Sequence, residues 1–167
     1  MQNLKKNFSM IRVKNLNTKK LNSLFEIIKV NMTNLGFNVS DNDKEIWCNN
    51  IKRNLTNNNF YLFVVSFKGC VCGFVEAVIE KECLFVSEVQ LNNFAKQTRT
   101  ILYIIQSLLL YKEFLNKEEV YFSILKHNKM SNKTFSHLGG EIVGENEKKY
   151  KYKITRELVN KWLSKIK

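Results

Sequence analysis

Proline is absent from the 167 residues, and glycine occurs only six times. Turns must therefore be made mostly from Asn, Lys and a few Gly, and no Pro- or Gly-rich linker divides the chain. With this length, the pattern predicts one domain over residues 1–167. No run of about 18 apolar residues exists, so no membrane-spanning helix and no membrane partner are expected. The longest apolar stretch, 101–111, is broken by Gln106 and Ser107. The opening MQNLKKNFSM lacks the apolar core of a secretory signal, which predicts a soluble cytoplasmic protein. In that compartment the four cysteines are expected to be free thiols. Cys70 and Cys72 are too close for the common zinc knuckles, so no metal is expected. On a strand they would be two small buried thiols on one face.

Arginine is also scarce. Only Arg12, Arg53, Arg99 and Arg156 stand among 27 basic residues, and the formal charge is +12. Such a balance can serve nucleic acid or an anionic ligand. Lysine is the weaker choice for bidentate phosphate recognition, however, and the accompanying excess of Asn and Ile is what AT-rich codons produce. A nucleic-acid partner is open but not favoured.

What the sequence does have is regular patterning. Phe8–Val13 reads as a strand. Asn17 and Thr18 offer a cap for a helix with Leu21, Leu24, Phe25 and Ile28 on one face, ending before Gly36. A second helix is predicted over 43–54, with Ile46, Trp47, Ile51 and Leu55 as its apolar stripe. Two β-rich runs, 61–67 and 70–79, flank Lys68-Gly69 and predict a hairpin. A strand over 83–91 precedes a long helix over 98–115. Another strand (120–125), a helix (128–138) stopped by Gly139-Gly140, a hairpin (141–143 and 150–154, turning at 144–146) and a terminal helix (156–166) complete the chain. This order predicts an α+β fold, a mixed and mostly antiparallel sheet with helices on both faces. The strands at 83–91 and 120–125 should be parallel neighbours by right-handed crossover.

The organising stretch is Cys83 to Leu115. A helix that starts just after a strand aims free backbone N–H groups, and the positive end of its dipole, past the strand end. That geometry suits a phosphate or pyrophosphate.

At four places the chain resembles the GNAT superfamily of acetyl-CoA-dependent N-acyltransferases. They are the opening Ile11-Arg12-Val13 strand with its helix; the hairpin Phe67-Lys68-Gly69-Cys70-Val71-Cys72-Gly73-Phe74-Val75; the strand–loop–helix at 83–115; and Asn128-x-x-Ser131 followed by Phe135-x-x-Leu138-Gly139-Gly140. The resemblance implies two central parallel strands that splay apart at a bulge, and acetyl-CoA as co-substrate. Main-chain groups of Val89, Gln90 and Leu91 would pair with its pantetheine arm. Its pyrophosphate would rest on the loop and first helical turn, with Lys96, Gln97, Thr98, Arg99, Thr100 and Ile101, and Asn128, Ser131 and Phe135 would also contact the cofactor.

Two departures stand out. The family loop carries glycines that let phosphates approach the backbone, whereas 95–101 here has none. Many members carry a Tyr where Phe135 stands, and Phe cannot protonate a departing thiolate. The acid would then be water or another side chain, or be dispensable; Tyr103 and Tyr121 lie on flanking elements. Acetyl transfer also needs a base for the amine and a donor for the oxyanion. Glu88 is the base candidate, sharing a strand face with Gln90, and the Gln90 or Leu91 amide is the oxyanion candidate. His127 and His137 are weaker candidates.

The resulting expectation is an N-acetyltransferase acting on a primary amine of a small molecule or protein. Two alternatives accompany it: a catalytically silent GNAT-fold module that binds an acyl-CoA or a partner protein, and a tRNA-directed acetyltransferase. GNAT-fold proteins often pair, so a homodimer is also an option.

Overall fold

Lys68 and Gly69 both take positive φ (49° and 80°), the conformation of a two-residue hairpin turn. The turn joins two neighbouring strands of a seven-stranded sheet. The computed structural model describes residues 7–81, 83–96 and 98–165, apart from the side chains of Thr98, Arg99, Leu163 and Lys165. In chain order the elements are β1 (Phe8–Val13), α1 (Thr18–Asn34), α2 (Asp41–Asn54), β2 (Phe60–Phe67), β3 (Cys70–Glu80), β4 (Cys83–Leu91), α3 (Thr98–Leu109), β5 (Glu119–Leu125), α4 (Lys129–His137), β6 (Glu141–Glu145), β7 (Lys149–Thr155) and α5 (Arg156–Lys165). Short 3-10 turns occupy Asn93–Ala95 and Lys112–Phe114.

The sheet order is β1-β2-β3-β4-β5-β7-β6. All pairs are antiparallel except β4 with β5. The α+β architecture with helices on both faces is therefore as the sequence predicts, including the parallel crossover between 83–91 and 120–125.

Two cores result. On one face, Ile104, Ile105 and Leu108 of α3, Phe135 of α4 and Val159 of α5 pack on Phe63, Val75, Leu84, Val86, Val120 and Phe122. On the other, Leu21, Leu24, Phe25 and Ile28 of α1 and Ile51 of α2 pack on Phe60, Leu62 and Phe74. Asn17 caps α1 by accepting from Lys20 N at 2.9 Å. Ser40 and Asp43 form a reciprocal capping box at the start of α2.

Four details differ from the sequence reading. The helix over 98–115 ends at Leu109, because the Arg156 guanidinium takes up the carbonyls of Leu109, Phe114, Leu115 and Lys117 and holds that segment in a tighter turn. Ile46 lies outside the α2 stripe and is exposed, while Trp47, Ile51 and Leu55 face the core. Cys72 is buried but Cys70 is exposed. A register shift between Val65 and Ser66 makes Cys72 an extra residue and breaks the alternation that would have put both thiols on one face. The last turn falls at 146–148, where Asn146 Oδ1 accepts from Lys148 N and Lys149 N, and Gly144 belongs to β6. Ile166 and the Leu163 side chain lie outside the described residues.

Candidate active site

The site is built around an interruption in β4. Parallel pairing with β5 covers only Leu84↔Val120, Phe85↔Tyr121 and Val86↔Phe122. Both strands continue beyond that, to Leu91 and Leu125, without facing partners. From Ser87 to Leu91, β4 has β3 on one edge and a gap on the other. Main-chain donors and acceptors along such an edge can receive an extended ligand as an added strand.

The parting coincides with a bulge. Glu88 faces Glu76 and Val86 faces Ala77, so Ser87 is the extra residue. Its hydroxyl donates to Glu76 O at 3.4 Å. An extra residue inverts the alternation that follows it. Leu84 and Val86 point into the α3-side core, but two residues further on Glu88 points the opposite way, toward α1 and α2. Gln90 follows Glu88, while Val89 and Leu91 pack with the α3-side core. Glu88 and Gln90 thus share one face, opposite Val89 and Leu91, as their alternation predicts.

On that face a polar chain crosses an otherwise apolar layer. Asn31 of α1, a buried residue, donates from Nδ2 to Gln90 Oε1 at 2.6 Å and to Leu91 O at 3.0 Å. Gln90 Nε2 donates in turn to Glu88 Oε1 at 2.7 Å. Glu76, buried on β3, stands directly opposite Glu88. Burial pushes the Glu76 carboxyl up to about 8, and the charge of Glu88 pushes the same way. Glu88 is raised too, chiefly by burial, while bonds to Gln90 and Glu76, the positive charge of Lys149 and the indole of Trp47 pull it back down. Trp47 Nε1–H acts on both carboxyls at close range but completes no hydrogen bond of full geometry. Three buried polar atoms are left without a partner here: Asn31 Oδ1, Trp47 Nε1 and Glu76 Oε1.

Gly73 makes the strand end possible. A Cβ at this position would collide with the Gln90 carbonyl and the Leu91 side chain. Only glycine lets β3 lie this close beneath the last residues of β4.

The loop after β4 is organised by its own side chains. Asn92 Oδ1 accepts from Ala95 N at 3.0 Å, Ala95 is buried, and Lys96 Nζ donates to Asn93 Oδ1 at 3.2 Å. Burial lowers the Lys96 pKa. Gln97 and the side chains of Thr98 and Arg99 lie outside the described residues. The Thr100 side chain is only 2% exposed, and Ile101 packs against the core. Either would meet a ligand through its backbone amide rather than its side chain.

Other candidates sit as follows. Asn128 Oδ1 accepts from Ser131 N at 3.1 Å, which makes it the cap of α4. Phe135 is buried against Phe122 and Tyr152, with ring centroids 4.7 and 5.6 Å away. Tyr103 donates its hydroxyl to Phe8 O at 3.0 Å, and Tyr121 donates to Glu119 Oε2 at 2.6 Å. Both phenol hydroxyls are thus engaged with these acceptors. The His127 ring lies tilted against Phe37, 5.0 Å between centroids, joining the loop after β5 to the loop after α1. His137 ends α4. A hollow of about 1000 Å³ lies at the other end of the parallel pair, against Glu80, Cys83, Glu118, Glu119 and Tyr121. It is remote from the splay and from the polar chain. Among the described residues no cluster of three or more metal-ligating side chains occurs.

As members of the site, Asn31, Trp47, Glu76 and Lys149 escape the sequence reading. Glu76 alone left a readable signal, as the one acid inside the apolar run CVCGFVEAVI.

The overall arrangement of this sheet and its helices recurs in solved structures. The N-acetyltransferase PseH of Campylobacter jejuni, in complex with acetyl coenzyme A, superposes with a TM-score of 0.65 at 14% identity, covering 89% of this chain and 99% of that one. Apo FdhC, a nucleotide-linked sugar GNAT, gives 0.69 at 15% identity over 96% and 93%. The PaiA N-acetyltransferase of Thermoplasma acidophilum, with coenzyme A, gives 0.65 at 14% over 88% and 99%. This is the GNAT fold. No protein-family model matches the sequence, and no curated protein does. On the GNAT fold, Glu88 and Gln90 occupy the strand that borders the splay, and Phe135 lies on the helix that follows the second parallel strand. No helix among the described residues is long and apolar enough to cross a membrane.

Proposed function

We propose that the protein is an acetyl-CoA-dependent N-acetyltransferase acting on a primary amine of a small molecule. The parting of β4 from β5 at the Ser87 bulge carries this reading, because one feature does two things. It leaves a main-chain edge at Val89, Gln90 and Leu91 for the pantetheine arm, and it turns a carboxylate to the lip of the same gap. The residues present fit the co-substrate in other respects. The gap ends at the N-terminus of α3, whose first-turn amides suit a pyrophosphate, and Lys96 supplies a positive charge beside it. Val89 and Leu91 offer an apolar wall. Acetyl-CoA supplies an activated acyl group to this edge.

In this reading Glu88 takes a proton from the acceptor amine, and the amide of Gln90 or Leu91 faces the developing oxyanion. Asn31 fixes Gln90, and Gln90 fixes Glu88, so the base is held in one rotamer from α1. With Phe135 in place of a phenol, the thiolate takes its proton from another source. The small-molecule acceptor is favoured by the likeness to FdhC, a nucleotide-linked sugar GNAT.

Calorimetric titration with acetyl-CoA, followed by thiol release assayed against a panel of small primary amines, tests the proposal. Saturable heat and amine-dependent thiol release are expected. No heat and no thermal shift at millimolar acetyl-CoA would remove it. A second reading, a silent acyl-CoA-binding module, is favoured by Phe135 and by the self-capped loop without glycine. It predicts binding heat without thiol release from any amine.

A further inference from the structure

The acid opposite Glu88 is unexplained by a single-base mechanism. Glu76 is buried in the middle of β3, among Phe74, Val75 and Ala77, where an ionisable side chain is costly unless it serves a purpose. Its register places it directly across from Glu88 at the bulge. On a strand pair, directly opposed side chains are within contact distance. Two carboxylates this close in a buried setting cannot both ionise readily, so one proton is held between them. The surroundings reinforce this. Glu88 is braced by Gln90 on its own strand, approached by Lys149 of β7 and by Trp47 of α2, and reached from α1 only through Asn31 and Gln90. Glu76 is faced by Glu88 and by the Trp47 indole, with no cation acting on it among the described residues. The asymmetry decides where the proton sits: Glu88, with the cation and the amide donor, carries the charge, and Glu76 carries the hydrogen.

We propose that Glu76 and Glu88 work as one proton-sharing base, in which Glu88 meets the acceptor and Glu76 is the positioning residue that holds and tunes it. This rests on the transferase reading. In the resting pair there is one proton and one negative charge. An N–H bond of the acceptor's ammonium breaks and an O–H bond forms on Glu88, leaving the pair neutral with two protons. The nitrogen keeps its electron pair and bonds the thioester carbonyl carbon. The C–S bond then breaks, the sulfur leaves with the electrons, and the proton lost from the nitrogen on forming the amide goes to the thiolate. The pair later returns its extra proton to solvent. A second carboxyl thus gives the site room for a proton, and among the described residues Glu76 is the acid that acts on Glu88.

The arrangement has a signature independent of turnover. A carboxyl that holds its proton to about 8 when folded, against an ordinary 4.5 when unfolded, stabilises the fold below that lower value, and the stabilisation is lost as pH rises toward 8. Melting temperatures of the full chain, measured from pH 5 to 9, should therefore fall by roughly 5–10 °C more in the wild type than in Glu76→Gln, which keeps a donor toward Glu88 but cannot ionise. In the pH–rate profile, Glu76→Leu should lower kcat/KM by about 10²-fold and move the acid limb upward by about one pH unit, because Glu88 loses its donor. Glu76→Gln should recover about tenfold of that loss and restore the limb. Parallel melting curves for wild type and Glu76→Gln, or Gln and Leu variants with the same acid limb, would overturn the shared-proton pair while leaving the transferase intact. A wild type without turnover would remove the transferase, and the melting curves would still decide whether the proton is shared.

Discussion

Strand β4 is two different strands joined at Ser87. Below it, Leu84 and Val86 are buried, paired on both edges, and packed against Val120 and Phe122 of β5. Above it, one edge is open, the faces are exchanged, and Glu88 and Gln90 stand where the lower half would have put apolar side chains. The lower half contributes to the core as any interior strand does. The upper half depends on specific supports: Gly73 beneath it, Asn31 beside it and Glu76 opposite. A single inserted residue therefore separates the stable part of the sheet from the part that can do chemistry. Bulges are a common device for re-aiming a side chain beside a site.

That contrast can be attacked from the upper half, where the largest effect is chemical. Glu88→Gln removes the proton acceptor while keeping the hydrogen bond to Gln90, and should cut turnover by about 10²-fold or more in steady-state assays. An unchanged rate would show that the exchanged face has no catalytic meaning. Gly73→Ala comes next. Its methyl group meets the Gln90 carbonyl and Leu91, so either β3 or β4 must move. A loss of about 1–3 kcal/mol in chemical denaturation, with weaker acetyl-CoA binding in calorimetry, is expected. Asn31→Leu removes the ties to Gln90 and the Leu91 carbonyl and leaves both buried without that donor. The expected cost is about 1–3 kcal/mol, with kcat falling more than KM rises. The smallest effect on the site belongs to the lower half. Val86→Ala should cost stability of about 2 kcal/mol by thermal melting and leave acetyl-CoA affinity unaltered.

The two halves were not equally legible in the sequence. Strand and helix positions follow from apolar spacing, and the Lys68-Gly69 turn, the Gly139 stop and the parallel crossover all stand where residue chemistry places them. Gly139 has φ 74° and ends α4 with its amide on Ser136 O. The opposed faces of Glu88/Gln90 and Val89/Leu91 were readable, because alternation holds within the upper half. The relation between the halves was not. An extra residue leaves no mark in composition, so Glu76 could not be paired with Glu88 before the register was known. The same blindness misplaced Cys70, since a second irregularity lies at Cys72. Asn31 looked like one more polar residue late in an amphipathic helix, and only tertiary packing turns it inward. Arg12 lies 3.9 Å above the Tyr61 ring, and Arg156 is spent on four carbonyls, so two of the four arginines serve the fold.

Amide hydrogen exchange along β4, with and without acetyl-CoA, tests the central claim most directly. The account predicts that amides of Leu84, Phe85 and Val86 are protected in both states, whereas those among Val89, Gln90 and Leu91 that face the gap slow by about tenfold or more when acetyl-CoA is added. Equal exchange in the upper half with and without acetyl-CoA would contradict it.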